Sequence, residues 1–235
     1  MRSVRRGTLH FLLKPSIISI MKKIALIFDH DGTLVDSMEA VLLCTNKILN
    51  GAGCESIYMD ELKKGMAFPT FERFHYHSRL EDPDLLKTMC RDFYMTMNKI
   101  GVDSVKLYPR IKENLDLLSS RGYSLGMLTN NQGYFARRAA ARLRYAYNFE
   151  LILGEENVPV PKPDPRGLLQ ACAGLGSDPK SCWYIGDGKP DFEVARAAGL
   201  KSALVSWGAH PREELVALKA DVLFDSPDEM GDFFQ

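Results

Sequence analysis

The fold of this chain is decided by a segment near its N-terminal end that reads Ile24-Ala25-Leu26-Ile27-Phe28-Asp29-His30-Asp31-Gly32-Thr33-Leu34-Val35-Asp36-Ser37. Residues 24–28 are apolar at consecutive positions, which is typical of a strand buried on both faces of a parallel sheet. Asp29 and Asp31 follow at once, and Gly32 then interrupts the pattern. In an open α/β sheet, chemistry takes place beyond the carboxyl ends of the strands. We therefore expect both aspartates to face a functional site.

The two aspartates allow two interpretations. Carboxylates this close repel each other unless a cation or a shared proton relieves them. This favours a Mg²⁺ site in which one carboxylate also acts as a nucleophile. The alternative is a solvated turn, because Asp and Gly commonly follow strands. Polar groups further along the chain favour the first interpretation.

The composition is that of a globular protein with a substantial core. The 235 residues are 46% hydrophobic and 26% charged, with a formal net charge of zero. This excludes the basic bias of a non-specific nucleic-acid binder and the composition of a disordered chain. Five scattered cysteines form no Cys-x-x-Cys, which argues against disulfides and zinc and fits a reducing, cytoplasmic compartment. No apolar run approaches the ~20 residues that span a membrane.

Residues 1–20 differ from the rest of the chain. They contain Arg2, Arg5, Arg6 and Lys14, and no acidic residue occurs before Asp29. Such a leader is either an organelle transit peptide, a disordered tail or the product of a misassigned start. Met21 directly precedes the first strand, which favours a wrong start or a tail.

Beyond the first strand, the chain divides into a helical insert and a regular alternation. Residues 37–107 show helical spacing of apolar residues and no convincing buried strand, and Asp82-Pro83 is typical of a helix start. From residue 108 onward, strands at about 123–129, 149–153, 182–185, 202–205 and 222–224 alternate with helices. This alternation predicts a parallel sheet with right-handed crossovers.

We therefore predict an α/β fold with two parts. Residues 21–36 and 108–235 would form a Rossmann-like, three-layer core around a parallel sheet. Residues 37–107 would form a small all-helical cap domain inserted after the first strand, placed over the site at the strand's end.

Three later strand ends carry polar groups that suit a phosphate site. Thr129-Asn130 offers a hydroxyl and backbone N–H groups for phosphate oxygens. Lys162 stands between two prolines, which fix its backbone. Asp187 and Asp191 lie four residues apart at a strand-to-helix turn and suit a hard cation. Taken alone, Thr129-Asn130 is more typical of a turn, Lys162 of a solvent-facing lysine and Asp191 of an acid at a helix start. Together they supply the groups that a phosphate site needs.

These positions resemble the four motifs of the haloacid dehalogenase superfamily, in its phosphoglycolate-phosphatase-like branch, from Lys23 to about Leu223. The resemblance implies that Asp29 is the nucleophile and a metal ligand. It implies that Asp31 is the general acid/base, with its backbone carbonyl on Mg²⁺. Thr129, Asn130 and Lys162 would then bind phosphate, Asp187 would bind the metal, and Asp191 would support it. Asp31 favours phosphate esters, because dehalogenases and phosphonatases lack an aspartate there.

Three positions depart from the family pattern. His30 replaces a bulky apolar residue, Gly188 replaces a small hydroxyl residue, and Arg110 replaces a glycine after Pro109. None of these changes removes a reacting group, but Gly188 puts metal affinity in question.

The resemblance predicts a Mg²⁺-dependent phosphatase that hydrolyses a small phosphorylated metabolite through an aspartyl-phosphate. A phosphomutase or phosphotransferase of the same fold, and a non-catalytic interaction module, are the alternatives. Within the cap, Arg73, His75 and His77 are candidate readers of the leaving group or ordinary surface. We expect a monomer or homodimer without nucleic-acid or membrane partners. The particular substrate cannot be read from the sequence.

Overall fold

The computed structural model describes residues 24–66 and 68–234. The strands, in chain order, are β1 (Ala25–Phe28), β2 (Val35–Asp36), β3 (Lys106–Leu107), β4 (Ser124–Leu128), β5 (Leu151–Leu153), β6 (Trp183–Gly186), β7 (Lys201–Val205) and β8 (Val222–Phe224). Six of them form one sheet in the order β5-β4-β1-β6-β7-β8. Every neighbouring pair in this sheet is parallel. The predicted parallel sheet is confirmed.

Helices fill the intervals between the strands. They are α1 (Met38–Gly51), α2 (Met59–Gly65), α3 (Thr70–Ser78), α4 (Pro83–Thr96), α5 (Val102–Ser104), α6 (Ile111–Ser120), α7 (Gly133–Arg142), α8 (Arg166–Gly174), α9 (Lys189–Ala198), α10 (Arg212–Leu218) and α11 (Pro227–Phe233). A π-helical turn over Met97–Gly101 joins α4 to α5. Among the described residues, no helix is both long enough and apolar enough to cross a bilayer.

Strand β1 is buried on both faces, as its run of apolar residues predicts. Leu26 and Phe28 pack into one cluster, which contains residues of α6 and α7. Ala25 and Ile27 pack into a second cluster, which contains residues of α8 and α9. Because successive side chains of a strand point to opposite faces, the two clusters lie on the two sides of the sheet. The core is thus a three-layer α/β structure.

The strand order brings the functional strand ends together. From β1 at the centre, the chain adds β4 and β5 on one side and β6, β7 and β8 on the other. The direction of winding therefore reverses beside β1, and ligands of open α/β sheets bind at such a switch point. The carboxyl ends of β4, β1 and β6 are neighbours there.

The segment between β2 and β3 is helical, with α1–α5 in sequence. Asp82 begins α4 as expected, because its Oδ1 accepts hydrogen bonds from the N–H groups of Asp84 and Leu85 and Pro83 follows. One feature was not foreseen: Lys106–Leu107 pairs antiparallel with Val35–Asp36 as a short ribbon. Two residues are too few to show a periodicity, and this ribbon is separate from the central sheet.

Changes of backbone conformation set the end of α7 and the start of β5. Helix α7 ends at Arg142, and Arg144 has a left-handed φ of 60° that no α-helix continues through. The strand predicted over 149–153 begins at Leu151, because residues 146–148 form a 3₁₀ turn. The predicted extension, residues 1–20, lies outside the described residues.

Candidate active site

A cavity of about 240 Å³ opens at the carboxyl ends of the central strands. It is lined by every residue that the sequence singled out for chemistry: Asp29, Asp31, Thr129, Asn130, Lys162, Asp187 and Asp191. Side chains from α1, α3, α4 and the π-helical turn form the opposite wall. The predicted site residues therefore share one cavity between the sheet and the helical segment.

A buried ion-pair cluster lies at the base of the cavity. The Lys162 ammonium donates hydrogen bonds to Asp29 Oδ1 and to Asp191 Oδ1, each at 2.7 Å. Burial alone would lower the pKa of Lys162, but the carboxylates of Asp191 and Asp29 together raise it well above its usual value. Burial raises the pKa of Asp29, and the attraction of Lys162 offsets only part of this rise. The neighbouring carboxylates of Asp191 and Asp187 raise the pKa of Asp29 further.

Lys162 is held at both its backbone and its tip. The Asn130 amide receives the Lys162 N–H on Oδ1 at 2.7 Å and donates from Nδ2 to the Lys162 carbonyl at 3.0 Å. At the tip, Lys162 also donates to the Tyr184 hydroxyl at 3.0 Å, and that hydroxyl donates to the Leu128 carbonyl at 2.8 Å. The side-chain amide of Asn130 thus fixes the backbone of Lys162. Because the amide is occupied in this way, the backbone N–H of Asn130 is the group of this residue that suits a ligand.

The two oxygens of Asp31 have different surroundings. Oδ2 accepts from Asn131 Nδ2 at 3.2 Å and lies 3.3 Å from His30 Nδ1. Oδ1 is buried and has no hydrogen-bond partner within the described part of the chain. Burial would raise the pKa of Asp31, but His30, with contributions from the nearby side chains of Ser37 and Asn131, lowers it to about 2. One oxygen is therefore held while the other is left for a ligand.

His30 links Asp31 to the interior of the core. Its ring is fully buried, and Nε2 lies 2.9 Å from the hydroxyl of Tyr145. The ring also packs edge-on against Phe135, with centroids 6.0 Å apart. His30 thus packs among apolar side chains while its Nε2 contacts the Tyr145 hydroxyl, so a histidine fits at a position where the resemblance led us to expect a bulky apolar residue.

Thr129 directly follows β4, and its hydroxyl is directed to its own turn. Its Oγ1 accepts from the N–H of Asn131 at 3.0 Å, so the hydroxyl proton is free to be donated elsewhere. Thr129 is buried against the sheet, and its N–H bonds the carbonyl of Leu153 at 3.0 Å. A hydroxyl fixed in this way suits a phosphate oxygen.

Three buried carboxylates form a group that suits a divalent cation. Single oxygens of Asp29, Asp187 and Asp191 all lie within 4.8 Å of one another. Asp187 fits because Gly32 has no side chain: a Cβ there would meet the Asp187 carboxylate, and the φ of Gly32 is +82°. When ionised, the three carboxylates exceed the single ammonium of Lys162 in charge. Hard oxygen ligands and excess negative charge fit Mg²⁺.

The imidazole of His210 lies against Gly188, in the space that a side chain on residue 188 would need. A Cβ on Gly188 would lie 2.6 Å from Cε1 of His210, so the imidazole fills the space that a hydroxyl side chain would take. His210 Nδ1 lies 3.6 Å from Asp187 Oδ2, and this carboxylate raises the pKa of His210. The unusual glycine is therefore matched by a histidine from the loop after β7.

The structure separates the three candidate readers on α3. Arg73 lines the cavity and is only 7% exposed. His75 is exposed, lines a different depression and lies 3.4 Å from Glu81 Oε1. His77 packs against Gly65, where a Cβ would collide with its ring. Arg73 alone of the three reaches the site.

Sequence reasoning missed three residues that position the site, Tyr145, Tyr184 and His210, and it did not predict the contact of the Asn131 side chain with Asp31. Tyr184 is a hydroxyl within the otherwise apolar run of β6, and that exception was a usable signal. The loop position of His210 and the surroundings of Tyr145 in the chain give no comparable indication.

The chain is similar in sequence to a known family of hydrolases and to phosphatases of known substrate. Residues 26–205 match the family model of the haloacid dehalogenase-like hydrolases. The chain belongs to this superfamily of hydrolases. A phosphoglycolate phosphatase from Aquifex aeolicus is 30% identical, over 78% of this chain and 84% of its own length. An N-acetylmuramic acid 6-phosphate phosphatase from Pseudomonas aeruginosa is 30% identical, over 90% of this chain and 95% of its own.

A solved structure supports the same assignment. A haloacid dehalogenase-like hydrolase from Bacteroides fragilis superposes with a TM-score of 0.81 at 26% identity, covering 89% of this chain and all of its own. The prediction of a phosphatase of this superfamily, in its phosphoglycolate-phosphatase-like branch, is confirmed by these relatives.

Proposed function

We propose that this enzyme hydrolyses a small phosphorylated metabolite in two steps through an aspartyl-phosphate on Asp29. The observation that carries the proposal is the asymmetric setting of Asp29. Lys162 holds one of its oxygens at 2.7 Å, the described residues form no hydrogen bond with the second oxygen, and Asp29 lines the cavity. A carboxylate fixed at one oxygen and open at the other suits attack on phosphorus.

Asp31 has the setting of the proton carrier. Its Oδ1, which is buried and unpartnered in the described residues, would donate a proton to the departing alkoxide and later take one from water. The low pKa of Asp31, about 2, keeps it ionised before substrate binds. A phosphate dianion beside it would raise this pKa, because like charges disfavour ionisation. Proton uptake would then accompany substrate binding.

Three groups would bind the phosphoryl oxygens. They are the hydroxyl of Thr129, the backbone N–H of Asn130 and the ammonium of Lys162. All line the cavity, and preorganised donors of this kind stabilise charge that develops in the transition state. The clamp between Asn130 and Lys162 keeps two of these donors at a fixed spacing.

Asp29, Asp187 and Asp191 would hold Mg²⁺, with Asp31 contributing its backbone carbonyl as the resemblance implies. When bound, Mg²⁺ neutralises charge on the transferring phosphoryl group. The proposal is supported by the three oxygens within 4.8 Å of one another and by the hard, anionic character of the three carboxylates. A bound divalent cation would keep Asp29 ionised and nucleophilic.

We propose that residues 37–107 act as a cap that excludes water and contacts the leaving group. Side chains of this segment form one wall of the cavity. At about 240 Å³ the cavity is below the range of about 300–1,000 Å³ that holds drug-sized ligands, which favours a small substrate. The relatives are phosphatases of phosphoglycolate and of N-acetylmuramic acid 6-phosphate, and both compounds carry a carboxylate in addition to the phosphate.

The test is release of phosphate with and without Mg²⁺ from a panel of phosphorylated metabolites and from nitrophenyl phosphate. We expect Mg²⁺-dependent release by the wild-type protein and none above background by Asp29→Asn. Release that persists after chelation of divalent cations, or in Asp29→Asn, would contradict the proposal. Transfer of the phosphoryl group to a second substrate in place of water would point to a phosphotransferase.

A further inference from the structure

Arg73 on α3 is a buried cation without an anionic partner. It is 7% exposed, and no carboxylate of the described residues lies within 4.0 Å of its guanidinium. Its contacts are weak for a charged group: Nη1 donates to the sulfur of Met66 at 3.8 Å, and the guanidinium lies 4.9 Å from the ring centre of Phe93. Nε is buried and has no hydrogen-bond partner in the described chain. Burial lowers the pKa of Arg73, yet an arginine remains charged in proteins.

A buried charge of this kind destabilises a fold unless something compensates it. The other buried cation of the site, Lys162, has two carboxylate partners. The partner of Arg73 is therefore missing from the described part of the protein, and a ligand is the remaining source of negative charge.

Arg73 lines the same cavity as the carboxylates of Asp29 and Asp31, and it enters from α3 of the helical segment. Around it, the wall that this segment forms consists of Val41, Met66, Phe93 and Met97, together with the hydroxyls of Thr70 and Tyr94. Those two hydroxyls lie 2.9 Å from each other and form a hydrogen bond. Arg73 thus presents a single positive charge in largely apolar surroundings, and it enters the cavity from the helical segment, whereas the phosphate-binding groups come from loops after the strands of the sheet.

We infer that Arg73 binds a carboxylate on the leaving group of the substrate, and that it selects small phosphorylated carboxylic acids over neutral phosphate esters of the same size. The planar guanidinium matches a carboxylate through two parallel hydrogen bonds. One cation balances one carboxylate, whereas a second phosphate dianion would need more positive charge than this wall holds. This inference rests on the proposed function, since it concerns the leaving group of the proposed reaction.

The test compares two substrates that differ in one group, phosphoglycolate and hydroxyethyl phosphate. The variant Arg73→Met keeps much of the side-chain length and removes the charge, and Arg91→Met on α4 serves as control because Arg91 is exposed. We expect the wild type and Arg91→Met to prefer phosphoglycolate in kcat/KM, and Arg73→Met to lose about 10–100-fold of that preference, the range for hydrogen bonds between charged groups. Equal losses on both substrates, or an unchanged preference, would overturn the inference while leaving phosphatase activity in place.

Thermal unfolding tests the same inference without turnover. Glycolate should raise the Tm of the wild type and of Arg91→Met, and not that of Arg73→Met, with ethylene glycol as the neutral control. Without a ligand, Arg73→Met should have a Tm equal to or above the wild type, because it removes an uncompensated charge. A lower Tm in Arg73→Met with no glycolate effect in the wild type would show that Arg73 is structural. Failure of the proposed function is distinguishable, because it would appear as absent phosphate release while the glycolate shift remained.

Discussion

The ammonium of Lys162 lies 2.7 Å from Oδ1 of Asp29, and both side chains are buried at the end of the central strand. These residues are far apart in the sequence and come from the loops after β5 and β1. Their contact joins the proposed nucleophile to the charge that would stabilise the transferring phosphoryl group. It also makes Lys162 the only side-chain cation bound to Asp29 in the described structure.

Lys162→Met should impair both stability and turnover. The change leaves Asp29 and Asp191 buried without their cation, and breaking a buried pair typically costs about 3–5 kcal/mol. Loss of a preorganised charge should lower kcat by about 10²–10³-fold. Urea unfolding and steady-state kinetics measure the two effects. Tyr184→Phe is the control, because it removes one hydroxyl contact to Lys162 and keeps both ion pairs; wild-type behaviour of Lys162→Met would contradict this account.

His30→Leu should separate a structural contact from a functional one. The substitution leaves the buried hydroxyl of Tyr145 without its partner at 2.9 Å, which should lower the free energy of unfolding by about 1–3 kcal/mol. It also removes one of the contacts that hold Asp31, so kcat should fall. The double variant His30→Leu/Tyr145→Phe should regain stability without regaining kcat. Recovery of kcat in the double variant would show that His30 does not act through Asp31.

A substitution of Gly188 should be tolerated only when His210 is replaced as well. Gly188→Ser places a Cβ 2.6 Å from the imidazole of His210, so the ring must leave its position beside Asp187. We expect a lower Tm and weaker Mg²⁺ binding by calorimetry for Gly188→Ser. Adding His210→Ala makes room for the hydroxyl and should restore both values towards the wild type. Unchanged Mg²⁺ binding and Tm in Gly188→Ser alone would refute the pairing.

Arg110→Gly should raise the Tm and leave turnover unchanged. Arg110 adopts a left-handed φ of 67° at the start of α6, which a residue with a Cβ adopts at an energetic cost and glycine does not. Its ion pair with Asp228 is exposed and adds little. Arg121→Gly is the matched control, because Arg121 ends the same helix with a φ of −83°. A Tm increase of equal size in both variants would show that strain is not the cause.

The sequence predicted those parts of the fold that depend on local patterns. Consecutive apolar residues identified β1, and the alternation of strands and helices identified a parallel sheet. Since carboxyl ends of adjacent parallel strands meet at one edge, it also followed that Asp29, Thr129 and Asp187 lie together. The glycine expected after Pro109 likewise has a physical reason, because the residue in that place, Arg110, has a positive φ.

The remaining features depend on tertiary placement that no local pattern records. The hydroxyls of Tyr145 and Tyr184 reach His30 and Lys162 across the core. His210 reaches Gly188 from a loop that follows a different strand. The sequence placed Arg73 and His75 on equal terms as candidate readers, and only the packing of α3 on α4 buries one and exposes the other.

The proposed mechanism requires covalent phosphorylation of Asp29, which rapid acid quench of the Asp31→Asn variant with nitrophenyl phosphate would detect. This variant keeps Asp29 and a good leaving group needs no proton, so the first step should proceed while hydrolysis of the intermediate, which lacks its base, should slow by about 10²–10⁴-fold. We predict a burst of nitrophenol and a peptide containing Asp29 that carries one phosphoryl group by mass spectrometry, neither of which should appear in Asp29→Asn. Absence of the phosphorylated peptide in Asp31→Asn during turnover, or a phosphoryl group on a residue other than Asp29, would contradict the proposed mechanism.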